Sequence, residues 1–140
     1  MKYDIYCNTK SISKNRKAAI NEFTKRLSAY CKVSITNKKD TLPNINLDKE
    51  GCLLITITNG PSTFSSEELS SYINDIQLNG ISTVYVVVGY NAKEIEKLTT
   101  DKIKSLSIIN ANISNETLMI LTLEQIYRAY TIIQGKTYHK

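Results

Sequence analysis

The sequence predicts an α/β fold with three layers built around a mainly parallel sheet. Apolar runs of strand length alternate with helical patterns in the order β-α-β and then β-α-β-α-β-α, which is typical of such folds. Residues 83–88 read TVYVVV, a β-branched run that favours a central strand buried on both faces. Residues 118–133 repeat apolar side chains at helical spacing and predict a long terminal helix.

The first half of the chain predicts two strands separated by one helix. Residues 2–7 alternate as a strand does, Ser11 or Ser13 opens the helix, and residues 33–36 form a second short strand. Residues 37–50 contain a proline with several Asn and Lys, and we expect an exposed connection there. The helix is expected to turn its cations outward and its apolar residues inward, these being Ile20, Phe23, Leu27 and Tyr30.

The second half predicts three strands and three helices. Ser65 and Glu68 have the spacing of a capping box, so a helix begins there and continues to about Leu78, where Asn79 and Gly80 end it. The remaining elements are strands at 51–58, 83–88 and 103–109, a short helix at 92–98, and a polar loop at 110–114 before the terminal helix.

The terminal helix is apolar on two sides and therefore needs two surfaces to pack against. One is its own sheet, and the other is expected to be a second copy of the chain. Asn112, Ser114 or Asn115 can cap its start, and Gly135 stands where a left-handed stop residue belongs. The first apolar side contains Met119, Leu123, Ile126, Tyr130 and Ile133, and the second contains Leu118, Leu121 and Ile132.

Length and composition predict one cytoplasmic domain over residues 1–140. Hydrophobic residues make up 41% and charged residues 22%, and no apolar run approaches the roughly 20 residues of a membrane span. The start of the chain lacks the charged-then-apolar order of a signal peptide. Three widely spaced cysteines and a single histidine argue against a metal site, so we expect no metal and buried reduced thiols.

Positive charge is concentrated in the first third of the chain. Residues 1–50 carry eleven Lys and Arg against five Asp and Glu, a net +6, whereas residues 51–140 carry seven against eight. A basic helix surface is often only a solvated face, but clustering on one element is also the footprint expected of a protein that binds nucleic-acid phosphates. The candidate phosphate-binding residues are Lys10, Lys14, Arg16 and Lys17.

Ligands of open parallel sheets bind at the carboxyl ends of the strands. In this chain those ends are followed by residues 58–61, 89–92 and 110–114. The sequence contains no glycine-rich dinucleotide fingerprint, P-loop, nucleophile elbow or metal motif that would specify a reaction. The residues by themselves therefore predict an α/β domain with a basic helix and leave the activity open.

A family resemblance supplies a sharper hypothesis. The segment LEQIYRAY at 123–130, together with Gly135 and the ending YHK at 138–140, resembles the bacterial large-subunit rRNA pseudouridine N3-methyltransferases known as RlmH. This family belongs to the SPOUT superfamily, which implies S-adenosylmethionine as cofactor and a trefoil knot near the C-terminus. It also implies a homodimer through the C-terminal helix and ribosomal RNA or the ribosome as partner.

The resemblance also implies roles for individual residues. His139 becomes the candidate base or RNA-positioning group and Tyr138 a stacking or hydrogen-bonding group, while Arg128 and Lys140 contact phosphate. The alternative is a frayed polar tail in which Arg128 pairs with Glu124 at i,i+4. The residues expected around the cofactor are Thr58, Gly60, Gly89, Tyr90, Ile109, Asn110 and Ile113.

The cofactor loops depart from the family pattern. Where the family has Gly-Gly-x-x-Gly, this chain has Gly89, Tyr90, Asn91, Ala92 and Lys93, so one glycine remains. The family's later His-Gln pair is replaced by Asn and Glu at 115–116. Two alternatives to an active enzyme therefore stay open: a catalytically silent paralogue that binds nucleic acid or protein without cofactor, and an unrelated small α/β binding module.

Overall fold

The computed structural model describes residues 1–98 and 100–135. Within them five parallel strands form one sheet in the order β2-β1-β4-β3-β5. The strands are β1 (Lys2–Cys7), β2 (Lys32–Asn37), β3 (Cys52–Asn59), β4 (Thr83–Val88) and β5 (Ile103–Ile109). The helices are α1 (Lys14–Leu27), α2 (Ser66–Leu78), α3 (Ala92–Glu96) and α4 (Asn115–Ile133).

Strand β4 occupies the centre of the sheet, as its β-branched sequence predicts. It pairs with β1 on one side, where Val86 faces Ile5, and with β3 on the other, where Val86 faces Ile55. Val84 and Val87 are also fully buried, on opposite faces of the strand. Because the strands are parallel, all five carboxyl ends meet at one edge of the sheet.

Helices α1, α2 and α4 cover one face of the sheet, and α4 lies between the other two. Ser114 caps α4, and Gly135 follows its end with a φ of +71°, so both predicted boundaries are confirmed. The prediction that Leu118 needs an outside partner is wrong, because α4 is flanked by two helices and Leu118 is buried in the protein's own core. Ile132, by contrast, is 37% exposed.

The connection between β2 and β3 covers the second face of the sheet together with α3. Ile45 and Leu47 are each only 7% exposed and pack with Leu54 and Val87 of the sheet. The expectation of a wholly exposed connection is therefore wrong. The physical reason is that α3 has five residues and leaves apolar sheet surface that the connection must shield from water.

The other helix starts follow local capping rules. Ser13 accepts a hydrogen bond from the Arg16 amide at the start of α1, which selects Ser13 over Ser11 as the cap. At α2 the Ser65 hydroxyl accepts from the Glu68 amide and the Glu68 carboxylate accepts from the Ser65 amide. This reciprocal arrangement is the predicted capping box.

A buried pair of tyrosines connects β1 to α4 and predicts an asymmetric mutational response. The Tyr3 and Tyr130 hydroxyls lie 2.9 Å apart, and Gln77 Nε2 donates to the Tyr130 hydroxyl at 3.3 Å. Tyr130→Phe leaves the Tyr3 hydroxyl buried without its partner, so we expect a loss of about 1–3 kcal/mol of unfolding free energy. Tyr3→Phe leaves Tyr130 bonded to Gln77, and its expected loss is smaller.

Urea unfolding of both single variants and of the double Phe variant checks this prediction. Because the double variant removes both hydroxyls, it should lose less than the two single losses added together. Equal single losses that add without coupling would show that the two hydroxyls do not depend on each other.

The three cysteines are free and buried, and we predict that they resist thiol reagents in the folded protein. Burial, reinforced by the negative charge of Glu116, raises the pKa of Cys7 to about 12, and burial raises that of Cys31 to about 11. At pH 8 the thiolate fraction of Cys7 is then about a thousandfold below that of an unfolded cysteine. Colorimetric thiol titration should give slow native labelling and three rapid equivalents in denaturant. Rapid native labelling would contradict the burial.

Candidate functional site

A cleft of about 370 Å³ opens beside the carboxyl half of β3. Strand β5, helix α3 and the residues that follow β4 form its other walls. Two predicted cofactor residues, Thr58 and Tyr90, line it. Ile95 and Ile103 give it an apolar floor, and the remaining lining residues are Thr56, Ile57, Ala92, Glu96, Thr100 and Ser105.

Tyr90 forms a wall of this cleft. Its side chain is buried, and its hydroxyl donates to the Lys38 carbonyl at 2.6 Å, which fixes the ring against the connection that follows β2. Burial, followed by the charges of neighbouring ionisable groups, raises the pKa of Tyr90 to about 12. The hydroxyl therefore stays a neutral donor at physiological pH and keeps its hydrogen bond to Lys38.

The loops after β3 and β5 are fastened to each other. The Gly60 amide donates to the Ile109 carbonyl at 3.2 Å and to Ser107 Oγ at 2.9 Å. Ser107 Oγ in turn donates to the Gly60 carbonyl, and Asn59 Nδ2 donates to the Ala111 carbonyl, both at 2.9 Å. The structure thus brings Gly60 and Ile109 together and places Asn110 directly after them, at the edge where the sequence predicts the cofactor loops.

A second set of contacts joins the ends of β1 and β4 to the start of α4. Asn8 Nδ2 donates to the Gly89 carbonyl at 2.9 Å, and Asn115 Nδ2 donates to the Asn8 carbonyl at 3.0 Å. Asn8 Oδ1 also accepts from the Asp40 amide at 2.7 Å. Gly89 has a φ of +84°, and a Cβ there would overlap the Asn115 side-chain amide.

Sequence reasoning missed Asn8 as a site residue. The available signal was an amide side chain placed directly after a strand, at the edge where ligands of parallel sheets bind. Gly89 does not line the cleft itself, but the next residue, Tyr90, does. Ile113 is half-buried against the main core and does not line the cleft.

The predicted phosphate-binding residues have different environments. Lys10, Lys14 and Lys17 are exposed at the carboxyl edge and on the first turn of α1. Arg16 Nη1 lies 3.4 Å from Glu116 Oε2, so this guanidinium is committed to an ion pair between α1 and α4. Arg128 Nη1 lies 3.8 Å from Glu124 Oε1, the i,i+4 pairing of the alternative interpretation.

Tyr138, His139 and Lys140 lie outside the described residues. Within residues 1–98 and 100–135, no cluster of three or more His, Cys, Asp or Glu could hold a metal ion. No helix in the same part of the chain is both long and apolar enough to cross a membrane.

Comparison with known proteins decides the family. A family model described as "Predicted SPOUT methyltransferase" matches residues 1–139. The chain belongs to the SPOUT methyltransferase family. The parallel five-stranded sheet with four helices in the described residues is consistent with this membership.

The similar curated proteins are named ribosomal RNA large subunit methyltransferase H, with the numbered form H 1 for the protein from Thermoanaerobacter sp. strain X514. The protein from Clostridium botulinum strain Langeland is 33% identical, with the match covering 89% of this chain and 90% of that protein. Those from Thermoanaerobacter sp. strain X514 and Clostridium novyi are 32% and 31% identical, and both matches cover the full length of both chains. The resemblance drawn from residues 123–130 is therefore confirmed for this SPOUT member.

Proposed function

We propose that this SPOUT protein is an S-adenosylmethionine-dependent methyltransferase that methylates N3 of a pseudouridine in ribosomal RNA. The observation that carries the proposal is the cleft beside Thr58 and Tyr90 at the carboxyl edge of the sheet. Its volume of about 370 Å³ falls within the range of small-molecule sites, and it combines an apolar floor with polar rims. The relatives named as rRNA methyltransferases support the reaction and the substrate.

The lining residues fit an adenosine-type cofactor. Ile95 and Ile103 offer an apolar surface for a purine ring, and the Tyr90 ring adds an aromatic wall. Thr58 and Glu96 provide a hydroxyl and a carboxylate for the polar parts of the ligand. When bound, the cofactor supplies a methyl group activated on a sulfonium. The protein's own contribution is to orient donor and acceptor and to keep water away from them.

We extend the proposal to the domain, the association of two copies and the C-terminal tail. Residues 1–140 form a single SPOUT domain, knotted where residues 110–114 cross from β5 to α4, and two copies associate through α4. The exposed Ile132 supports this association surface. In this proposal His139 acts as the base or RNA-positioning group, Tyr138 stacks on or hydrogen-bonds to the nucleotide, and Arg128 and Lys140 contact phosphate. Deleting residues 138–140 tests this role, since a folded dimer with unchanged methylation and RNA affinity would contradict it.

The two glycines missing from the cofactor loop favour one competing function. Tyr90 and Lys93 replace two glycines of the family pattern, which fits a silent paralogue that retains the fold and binds nucleic acid or protein without cofactor. Calorimetric titration with S-adenosylmethionine and with its demethylated product separates the two functions. A micromolar dissociation constant, roughly −8 kcal/mol, supports the methyltransferase. The absence of both heat and a ligand-induced rise in melting temperature supports the silent paralogue.

A further inference from the structure

A second pocket lies at the carboxyl end of β1, near the loop after β4 that bounds the cofactor cleft. It has a volume of about 470 Å³ and is lined by the side chains of residues 8–11, 39–40 and 115–116. Asn8 and Asn115, which line this pocket, both contact Gly89, and the next residue, Tyr90, lines the cleft. The two pockets share no lining residue and are linked through Gly89 and Tyr90, so a methyl acceptor in the second pocket must reach the donor, at about 3–3.5 Å, past this loop.

Glu116 is the residue of this pocket with unmet hydrogen-bonding capacity. Its buried Oε2 accepts no hydrogen bond from any group in the described part of the chain, although Arg16 Nη1 lies 3.4 Å away. Oε1 is 3.2 Å from the Thr9 hydroxyl, but that hydroxyl is also 3.0 Å from the Ser11 carbonyl. A hydroxyl has one hydrogen and satisfies one of these acceptors at a time. Arg16 thus positions the carboxylate through the buried Oε2, and Oε1 can accept an N–H in place of the Thr9 hydroxyl.

We propose that the pocket receives the pseudouridine base and that Glu116 accepts a hydrogen bond from its N1–H. This inference rests on the proposed function and specifies how the substrate is selected. Pseudouridine carries an N–H at N1, whereas uridine has a C–H at the equivalent ring position and cannot donate there. Reading N1–H leaves the N3 edge free to face the cofactor cleft. When the base arrives, Thr9 turns its hydroxyl to the Ser11 carbonyl.

The neighbouring cations complete the recognition. Lys10 and Lys39 line the same pocket and supply donors for the carbonyl oxygens and the phosphate of the nucleotide. These contacts are the same for uridine and pseudouridine, so they contribute affinity without discrimination. Glu116 alone among these three residues distinguishes the two bases. A hydrogen bond to a charged acceptor corresponds to a preference of roughly ten- to a hundredfold.

The test measures binding of pseudouridine 5′-monophosphate and uridine 5′-monophosphate to the full chain by NMR titration, without cofactor. The side-chain amide signals of Asn8 and Asn115 report occupancy of the pocket. The unmodified protein should prefer pseudouridine 5′-monophosphate at least tenfold. Glu116→Ala should abolish this preference, and the matched surface variant Glu67→Ala should keep it. Lys10→Ala should weaken the binding of both nucleotides equally. Because the Lys10 side chain is exposed, we expect this variant to fold normally.

Each outcome decides the inference separately from the proposed function. The preference is a ratio measured on one sample, so partial unfolding of Glu116→Ala does not change it. A preference retained by Glu116→Ala, or titration shifts that bypass Asn8 and Asn115, overturns the role of Glu116 even if the protein methylates rRNA. A preference lost in Glu116→Ala supports the pocket even if S-adenosylmethionine fails to bind, in which case the methyltransferase proposal fails alone.

Discussion

Replacing Gly89 by alanine is expected to destabilise the protein by about 2–5 kcal/mol, since two separate costs add. Gly89 has a φ of +84°, a left-handed conformation that costs a residue with a Cβ about 1–2 kcal/mol. The new methyl would also overlap the Asn115 side-chain amide, and relieving this overlap must move either the loop after β4 or the start of α4. Because Tyr90 follows directly, we expect the cleft to be deformed and cofactor binding to be lost.

Two variants separate these costs in urea unfolding. Gly80→Ala is the matched control, because Gly80 has a φ of +85° but nothing in the described residues lies within 4 Å of its added Cβ. Its expected loss is about 1 kcal/mol. Combining Gly89→Ala with Asn115→Ala removes the overlapping amide and should recover part of the loss. Equal losses at Gly89 and Gly80 would show that the contact with Asn115 does not constrain the loop.

This contact also explains why one glycine of the loop remains while its neighbours are replaced. Gly89 serves the protein's own packing through its backbone conformation and its close approach to Asn115. Tyr90, which stands at the next glycine position of the pattern, has a structural role instead, since its hydroxyl bonds to the Lys38 carbonyl. The loop is therefore rebuilt around the single position where a side chain cannot be accommodated.

The elements of the fold could be predicted wherever local chemistry decides them. Strands β1, β4 and β5 begin and end at the predicted residues because alternation or β-branched runs specify them. The capping box of Ser65 and Glu68 likewise depends on residues three positions apart. Such features need no knowledge of the rest of the chain.

The features that the sequence did not predict depend on contacts between distant parts of the chain. Ile45 and Leu47 stand between polar residues, and only the apolar sheet face left uncovered by the short α3 explains their burial. Arg16 reads as one more surface cation until α4 places Glu116 beside it, 100 positions later. The pocket at the carboxyl end of β1 is likewise formed by three separated segments, residues 8–11, 39–40 and 115–116, so no local sequence pattern predicts it.

Replacing Lys10, Lys14 and Lys17 together by glutamine is expected to weaken RNA binding by roughly ten- to a hundredfold at moderate salt. The three ammonium groups are exposed at the carboxyl edge, where both pockets open. Each phosphate contact contributes about −0.7 to the slope of log affinity against log salt for single strands, so the slope should become shallower by about 2. Arg16 is left in place because its ion pair with Glu116 would confound the result. Fluorescence anisotropy of a labelled RNA hairpin at several salt concentrations measures both quantities.

The control replaces Lys25, Lys32 and Lys49, three exposed lysines at the opposite edge, near the amino ends of the strands. Both triple variants lower the formal net charge from +5 to +2, so an effect of overall charge would be identical in the two. A large loss in the first variant and little change in the second would place the RNA at the edge that holds the cleft. Equal losses would contradict a specific docking edge, because long-range attraction alone depends on total charge and not on which edge bears it. The comparison thus tests whether Lys10, Lys14 and Lys17, rather than the other cations of the basic first third, deliver RNA to the site.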